Sequence, residues 1–289
     1  NSYMIKLAVF LAQSENRPSG LIGHNREDLA QNYAATLLSL GLYGRAAGSS
    51  RDFFYTATSD PDLEVLLVTD TLSNPNYGNL IQQLRTDWRT RRLPIALLYR
   101  DADRGRRTSI QLQNDPLFTA IPFSLQPNLV ATHIERLDDR IKPWKLSNFD
   151  RRRHGAFAMQ WLAKISSDRD RYYFYRLSSR EQAQLTKLLY LPGFAGSASA
   201  VLGSLGTPQS QRSLVDFASQ NAIPLDEREV AAEAFSQSVK KGGTLLTVAD
   251  IQLQYDRYQA SANESKESRK ILADLLDAIE ERKRTAGVQ

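Results

Sequence analysis

The sequence predicts an α/β unit built on a doubly wound parallel sheet of five strands, followed by an all-α unit. Three observations carry that prediction. Short apolar runs alternate with helix-patterned stretches through the first half of the chain. Two of those runs, "VLLV" at 65–68 and "LPIALL" at 93–98, are continuously apolar, as strands covered on both faces are. Beyond residue 141 the strand signals stop and only helix patterns remain.

The elements follow in order. "MIKLAVFLAQ" reads as the end of a core helix in an N-terminal helical segment, 1–19. It is shorter than the ~20 residues of a membrane span. It also lacks the basic start and small-residue cleavage site of a signal peptide. A chain that opens Asn1-Ser2-Tyr3-Met4 reads as a segment of a longer protein. "GLIG" at 20–23 is the first strand, and Asn25 is the candidate cap of the helix after it. Leu29, Tyr33, Leu37 and Leu40 share one face of that helix, and Gly41 ends it. "YGRAAG" is a weak strand, Arg51–Thr58 a helix and "SDPD" a turn. "VLLV" is followed by a loop, the helix "GNLIQQLRTDW" and the strand "LPIALL"; an arginine-rich segment and the strand "FTAIPF" complete the sheet. The order βαβαβαβ over the first four strands, with the fifth after the arginine-rich segment and short connections throughout, is that of a doubly wound sheet.

"KPWKLSNFDRRRH" reads as a polar hinge, after which seven helices follow, from "AFAMQWLAKI" to "RKILADLLDAIEERKR". Ser178 with Glu181 and Thr247 with Asp250 have the capping-box pattern, and Thr207-Pro208 places a cap before proline at the first helical position. Ile271, Leu275 and Ile279, with Leu272 and Leu276, form an apolar stripe on the last helix. The domain boundaries expected are 1–19, 20–141 and 142–289.

Composition narrows the function. A chain of 289 residues, 42% hydrophobic, exceeds one ordinary domain. It has no cysteine, which removes disulfides, thiolate nucleophiles and sulfur-ligated metals. His24, His133 and His154 are too far apart in sequence to suggest a zinc site. The net charge of +5 comes mainly from arginine in "RTDWRTRR", "RDADRGRR" and "DRRRH". Acids are interleaved and no aromatic ladder accompanies them, so the clusters read first as a solvated face; an acidic protein surface is the partner they could steer, with nucleic acid as an alternative. There is no GxSxG, no GxGxxG after the first strand, no Walker loop and no nucleophile–histidine pair. "GFAG" and "KKGG" are glycine turns between helices, and Asp138-Asp139 and Glu280-Glu281 lie on polar surfaces. A non-catalytic protein is the expectation; composition does not fix the compartment, with a cytoplasmic location favoured and an envelope-associated one the alternative if the full-length chain carries a signal.

From about Leu21 to Ile141 the chain resembles a receiver domain of two-component response regulators, a flavodoxin-like fold. The resemblance rests on "DLEVLLVTDTLSNPNYGNLIQQLRTDWRTRRLPIALL", where an acid after the strand, a Pro, a Gly, a helix ending in Arg and a Pro-led strand follow in the family's order. It puts Asp70 at the phosphoacceptor position when Gly78 is matched to the family's loop glycine. The acid pair that would hold Mg²⁺ is replaced by His24 and Asn25, the hydroxyl by Tyr99 and the lysine by Ile121. Phe118 falls at the aromatic switch position. Losing those charges removes the electrostatic support that phosphoryl transfer needs.

The resemblance therefore implies a pseudo-receiver without cofactor. Mg²⁺ enters only in the alternative that Asp70 is still phosphorylated, with Glu27 or Asp28 as rebuilt ligands. Asp70 is otherwise expected to bind backbone amides of the loop after it. His24 is expected as a polar loop residue at the sheet edge, with Tyr99 and Phe118 packed together. What remains is a contact surface, which the resemblance places on residues 104–113 and the helix at 130–137, with Arg104, Arg106, Arg107 and Phe118 facing a partner. "AVLGSLGTPQSQRSLVDFASQ" resembles a HEAT-type helical hairpin. End to end, the chain is similar to the carboxyl-terminal part of HEAT-repeat proteins of planctomycete bacteria, a resemblance that implies architecture and a scaffold role in signalling.

Overall fold

A computed structural model describes residues 2–124, 132–134, 146–167, 177–191 and 193–286. The chain divides into two compact units, Gln13–Arg153 and Asn1–Ala12 together with His154–Gln289. The first helix, α1 (Ser2–Ala12), therefore groups with the later helices and not with the sheet that follows it.

The α/β unit contains β1 (Ser19–Gly23), α2 (Glu27–Leu37), β2 (Tyr43–Ala47), α3 (Ser50–Ala57), β3 (Leu63–Thr69), α4 (Tyr77–Thr86), β4 (Ile95–Tyr99), α5 (Ala102–Gln111) and β5 (Phe118–Pro122). The five strands form one parallel sheet in the order β2-β1-β3-β4-β5. Both faces are buried, which explains the unbroken apolar runs. Successive strand residues point to opposite faces. Leu21, Leu66, Val68, Ile95 and Leu97 meet Phe53 of α3 and Leu80, Ile81 and Leu84 of α4. Ile22, Leu67, Ala96, Leu98 and Ile121 meet Tyr33, Ala34 and Leu37 of α2. Each buried Val, Leu, Ile or Phe among them contributes about 1.5–3 kcal/mol.

Local chemistry starts the helices. Ser49, Asn76 and Asp101 accept backbone N–H groups in the first turns of α3, α4 and α5. Asn25 does not cap α2; Arg26 holds that position without a side-chain bond. Gly44 permits the contact between β2 and α2, since a Cβ there would lie 1.8 Å from the carbonyl oxygen of Ala34.

At the amino-terminal end of the sheet the turn "SDPD" is more than a turn. Asp60, Asp62 and Glu64 are all buried. Asp60 pairs with Arg45 at 2.7 Å and accepts the Ser19 hydroxyl at 2.8 Å. Asp62 accepts Ser14 Oγ at 2.5 Å and the Glu15 N–H at 2.6 Å. Arg151 reaches Glu64 at 2.7 Å and Asp62 at 3.5 Å.

Arg151 lies on α6 (Asn148–Ser167), which begins inside the segment expected as a hinge; the division between the units falls within this helix, after Arg153 and not at 141/142. The expected helix at 130–137 lies outside the described residues except for 132–134, which are helical, with Ile134 buried.

The helical unit continues with α7 (Ser179–Leu188), α8 (Ala195–Leu205), α9 (Pro208–Ala218), α10 (Leu225–Gly242), α11 (Val248–Ala260) and α12 (Lys266–Ala286). Met159, Leu162, Leu185, Val201, Leu202, Phe217, Phe235, Ile271 and Leu275 are among its core residues. Capping boxes stand at Ser178/Glu181, Thr207/Ser210 and Thr247/Asp250. Gly206, at φ +59°, turns α8 into α9 as a left-handed helix end.

Candidate functional site

Open parallel sheets place ligands outside the carboxyl ends of their strands, beside the point where strand order reverses. In this sheet that point lies between β1 and β3. The residues there are His24 after β1, Asp70 after β3, Tyr99 to Asp101 at the end of β4, and Ile121 to Phe123 at the end of β5.

Asp70 is 7% exposed. Its Oδ2 accepts the backbone N–H of Arg100 at 3.0 Å and that of Asp101 at 3.3 Å. The amides it binds therefore belong to the end of β4 and not to its own loop, which corrects the sequence expectation. Its Oδ1 is buried without a hydrogen-bond partner. Thr69 holds the other side, donating from Oγ1 to the Gly23 carbonyl at 2.7 Å. The end of β3 is thus tied to β1 and to β4. A cleft of about 650 Å³ opens beside Asp70, lined also by Asn25, Asn76, Arg104 and Thr108.

His24 is 0% exposed, a buried residue and not an edge residue. Its Nδ1 accepts the Arg26 N–H at 2.8 Å, and its ring lies 5.6 Å from that of Phe123. Arg100 Nη2 is 3.3 Å from Nε2. Burial first, then the charges of Arg100 and Arg26, hold the imidazole below its ordinary pKa. Asn25 is exposed. The positions where the resemblance requires two acids thus present a buried neutral ring and an amide. Asp28, the candidate rebuilt ligand, is bound by Arg26 at 2.5 Å, and that contact lowers its pKa. Among the described residues, no group of three or more His, Asp or Glu side chains is placed to hold a metal ion.

Alternation along β4 and β5 explains the other positions. Tyr99 points to the α5 face, where a Cβ on Gly105 would come within 2.4 Å of its ring. Ile121 is 2% exposed and packs in the α2-side core. Phe118 is 7% exposed and packs in the opposite core, so it is a core side chain and not a contact surface. It aligns with Ile95 while Tyr99 aligns with Pro122, which puts Phe118 and Tyr99 at opposite ends of the strand pair; they do not pack together.

The arginine clusters also separate. Arg85 pairs with Asp115 at 2.6 Å and donates to the Leu93 and Leu117 carbonyls, Arg89 pairs with Asp87 at 2.7 Å, and Arg151 is buried on Glu64. Arg104, Arg106 and Arg107 stay exposed on α5; Arg104 lies 3.4 Å from Asp101, and Arg107 donates to the Asp103 carbonyl.

Sequence reasoning passed over Arg100 and Phe123. Their signal is positional: each directly follows a strand, on the face opposite to Tyr99. The guanidinium of Arg100 sits over the Phe123 ring, 4.6 Å from its centroid. No protein-family model matches this sequence, and no curated protein matches it.

Proposed function

We propose that the chain is a non-catalytic binding protein, in which a receiver-like unit without phosphorylation chemistry and a HEAT-like helical unit act as a scaffold for another protein. The observation that carries this reading is the state of Asp70. Its Oδ2 is committed to the amides of Arg100 and Asp101, and the positions where the resemblance requires two acids, a hydroxyl and a lysine hold His24, Asn25, Tyr99 and Ile121. A phosphoryl group arriving there would meet neither a metal-binding acid pair nor a lysine.

The contact face that best suits a partner is α5. Its exposed Arg104, Arg106 and Arg107, with exposed Ile110, offer positive charge around an apolar side chain, which steers an acidic protein surface. Incubation of the full chain with acetyl phosphate and Mg²⁺, followed by intact-mass measurement, tests the reading. No adduct is expected. An adduct that disappears in Asp70→Asn overturns the proposal and establishes the phosphorylated alternative.

A further inference from the structure

We infer that a second cleft at the carboxyl end of the sheet, on the α2 face, binds a small organic molecule bearing a phosphate group. The cleft has a volume of about 740 Å³ and is lined by Arg26, Leu29, Tyr99, Arg100, Pro122 and Phe123 among others. That is within the range of small-ligand sites, ~300–1,000 Å³. It combines an apolar wall with two guanidinium groups, the composition that holds an organic anion by its charged end. The inference goes beyond the docking role and does not depend on it.

Arg100 is the central residue of the cleft. The backbone N–H of Arg100, and not its side chain, serves Asp70. Among the described residues no carboxylate lies within ion-pairing distance of its guanidinium. The Phe123 ring beneath orients that group at 4.6 Å without supplying an acceptor. His24 Nε2 lies 3.3 Å from Arg100 Nη2. Because His24 Nδ1 already accepts the Arg26 N–H, the neutral ring carries its proton on Nε2. Donor therefore faces donor. The guanidinium keeps unused N–H groups at the cleft, held in a fixed plane, and such a planar fork matches phosphate oxygens in pairs.

Arg26 adds charge from the start of α2. One carboxylate, Asp28, offsets it at 2.5 Å, so the two arginines of the cleft are only half neutralised. Leu29 and the Phe123 ring supply the apolar surface for the organic part of the ligand.

Phenyl phosphate is a suitable probe, titrated into the full chain by calorimetry at constant ionic strength set with chloride. Saturable one-to-one binding is expected, at least tenfold weaker in Arg100→Gln and intermediate in Arg100→Lys, which keeps the charge and loses the fork. Leu29→Glu, which places a carboxylate in the cleft from a half-exposed position, is expected to abolish binding; it also serves as the test if Arg100→Gln does not fold. Inorganic phosphate, lacking the apolar body, and benzoate, lacking the phosphate, are both expected to bind more weakly. Absence of saturable binding, equal affinity in Arg100→Gln and Leu29→Glu, or benzoate binding as tightly as phenyl phosphate overturns the inference. The acetyl phosphate experiment reads covalent modification at Asp70, so the two proposals fail separately.

Discussion

Asp70 Oδ2 accepts the backbone N–H of Arg100 at 3.0 Å, joining the ends of β3 and β4 through a buried carboxylate. The bond makes Asp70 a structural acceptor. Asp70→Ala removes the acceptor of the Arg100 and Asp101 amides at the end of β4 and is expected to destabilise the α/β unit by about 1–3 kcal/mol. Asp70→Asn keeps one carbonyl oxygen and is expected to cost less than half as much. Urea unfolding of the two variants measures the order, and an equal loss would show that charge and not acceptance is what matters.

Arg151 faces two buried acids, Asp62 at 3.5 Å and Glu64 at 2.7 Å. Arg151→Met removes the cation and strands both carboxylates in a low-dielectric site, with an expected loss of about 3–5 kcal/mol. Combining it with Glu64→Gln removes one of the stranded charges, so the double variant is expected to be more stable than Arg151→Met alone. Chemical denaturation of the set checks the coupling.

His24 and Asp60, both buried in the α/β unit, shift with opposite signs. Burial and two arginines lower the pKa of His24, so below about pH 6.5 the unfolded chain takes up a proton that the folded ring refuses. Stability is therefore full above that value and falls as pH drops. Burial raises the pKa of Asp60, so its contribution is full below about pH 3.8 and is lost as pH rises through the folded value. The raw profile mixes both. The difference between wild type and His24→Asn isolates the first, since the amide oxygen can accept the Arg26 N–H without titrating. That difference is expected to move steadily in favour of the variant from pH 7 to pH 5, as followed by urea midpoints.

Much of this architecture is legible in the sequence because it is local. The unbroken apolar runs of β3 and β4 report burial on both faces, and the boxes at Ser178 and Thr247 and the cap Thr207 before Pro208 announce their helices within four residues. The site is less legible because its contacts are long-range. Asp70 was recognisable as an acid at a strand end, but its partners lie 30 and 31 residues away. Phe118 looked like a surface aromatic, although strand alternation sends it into the core with Leu97. Arg151 sat in a charge cluster that resembled a solvated face, and only the fold brings it to Glu64, 87 residues earlier.

Arg228 extends the same lesson into the helical unit, where nothing in "EREV" distinguishes it from its exposed neighbours. It is 2% exposed, donating from Nε to the Ala218 carbonyl at the end of α9 at 2.8 Å and from Nη1 to Ser268 Oγ at 2.7 Å. Nη2 is buried with no hydrogen-bond partner, and burial lowers the pKa of the group. The side chain thus fills core volume and closes a helix end, while its charge is only partly compensated. Arg228→Lys keeps the charge and gives up the fork that reaches both acceptors, so a loss of about 1–3 kcal/mol is expected. Arg228→Met gives up both hydrogen bonds but also removes a buried charge, and replacing such charges with apolar groups of similar volume is often close to neutral. Arg228→Lys is therefore expected to be the less stable variant in urea unfolding. The reverse order would mean that the guanidinium charge itself stabilises the unit, with Glu264, whose charge favours the protonated arginine, as the group responsible.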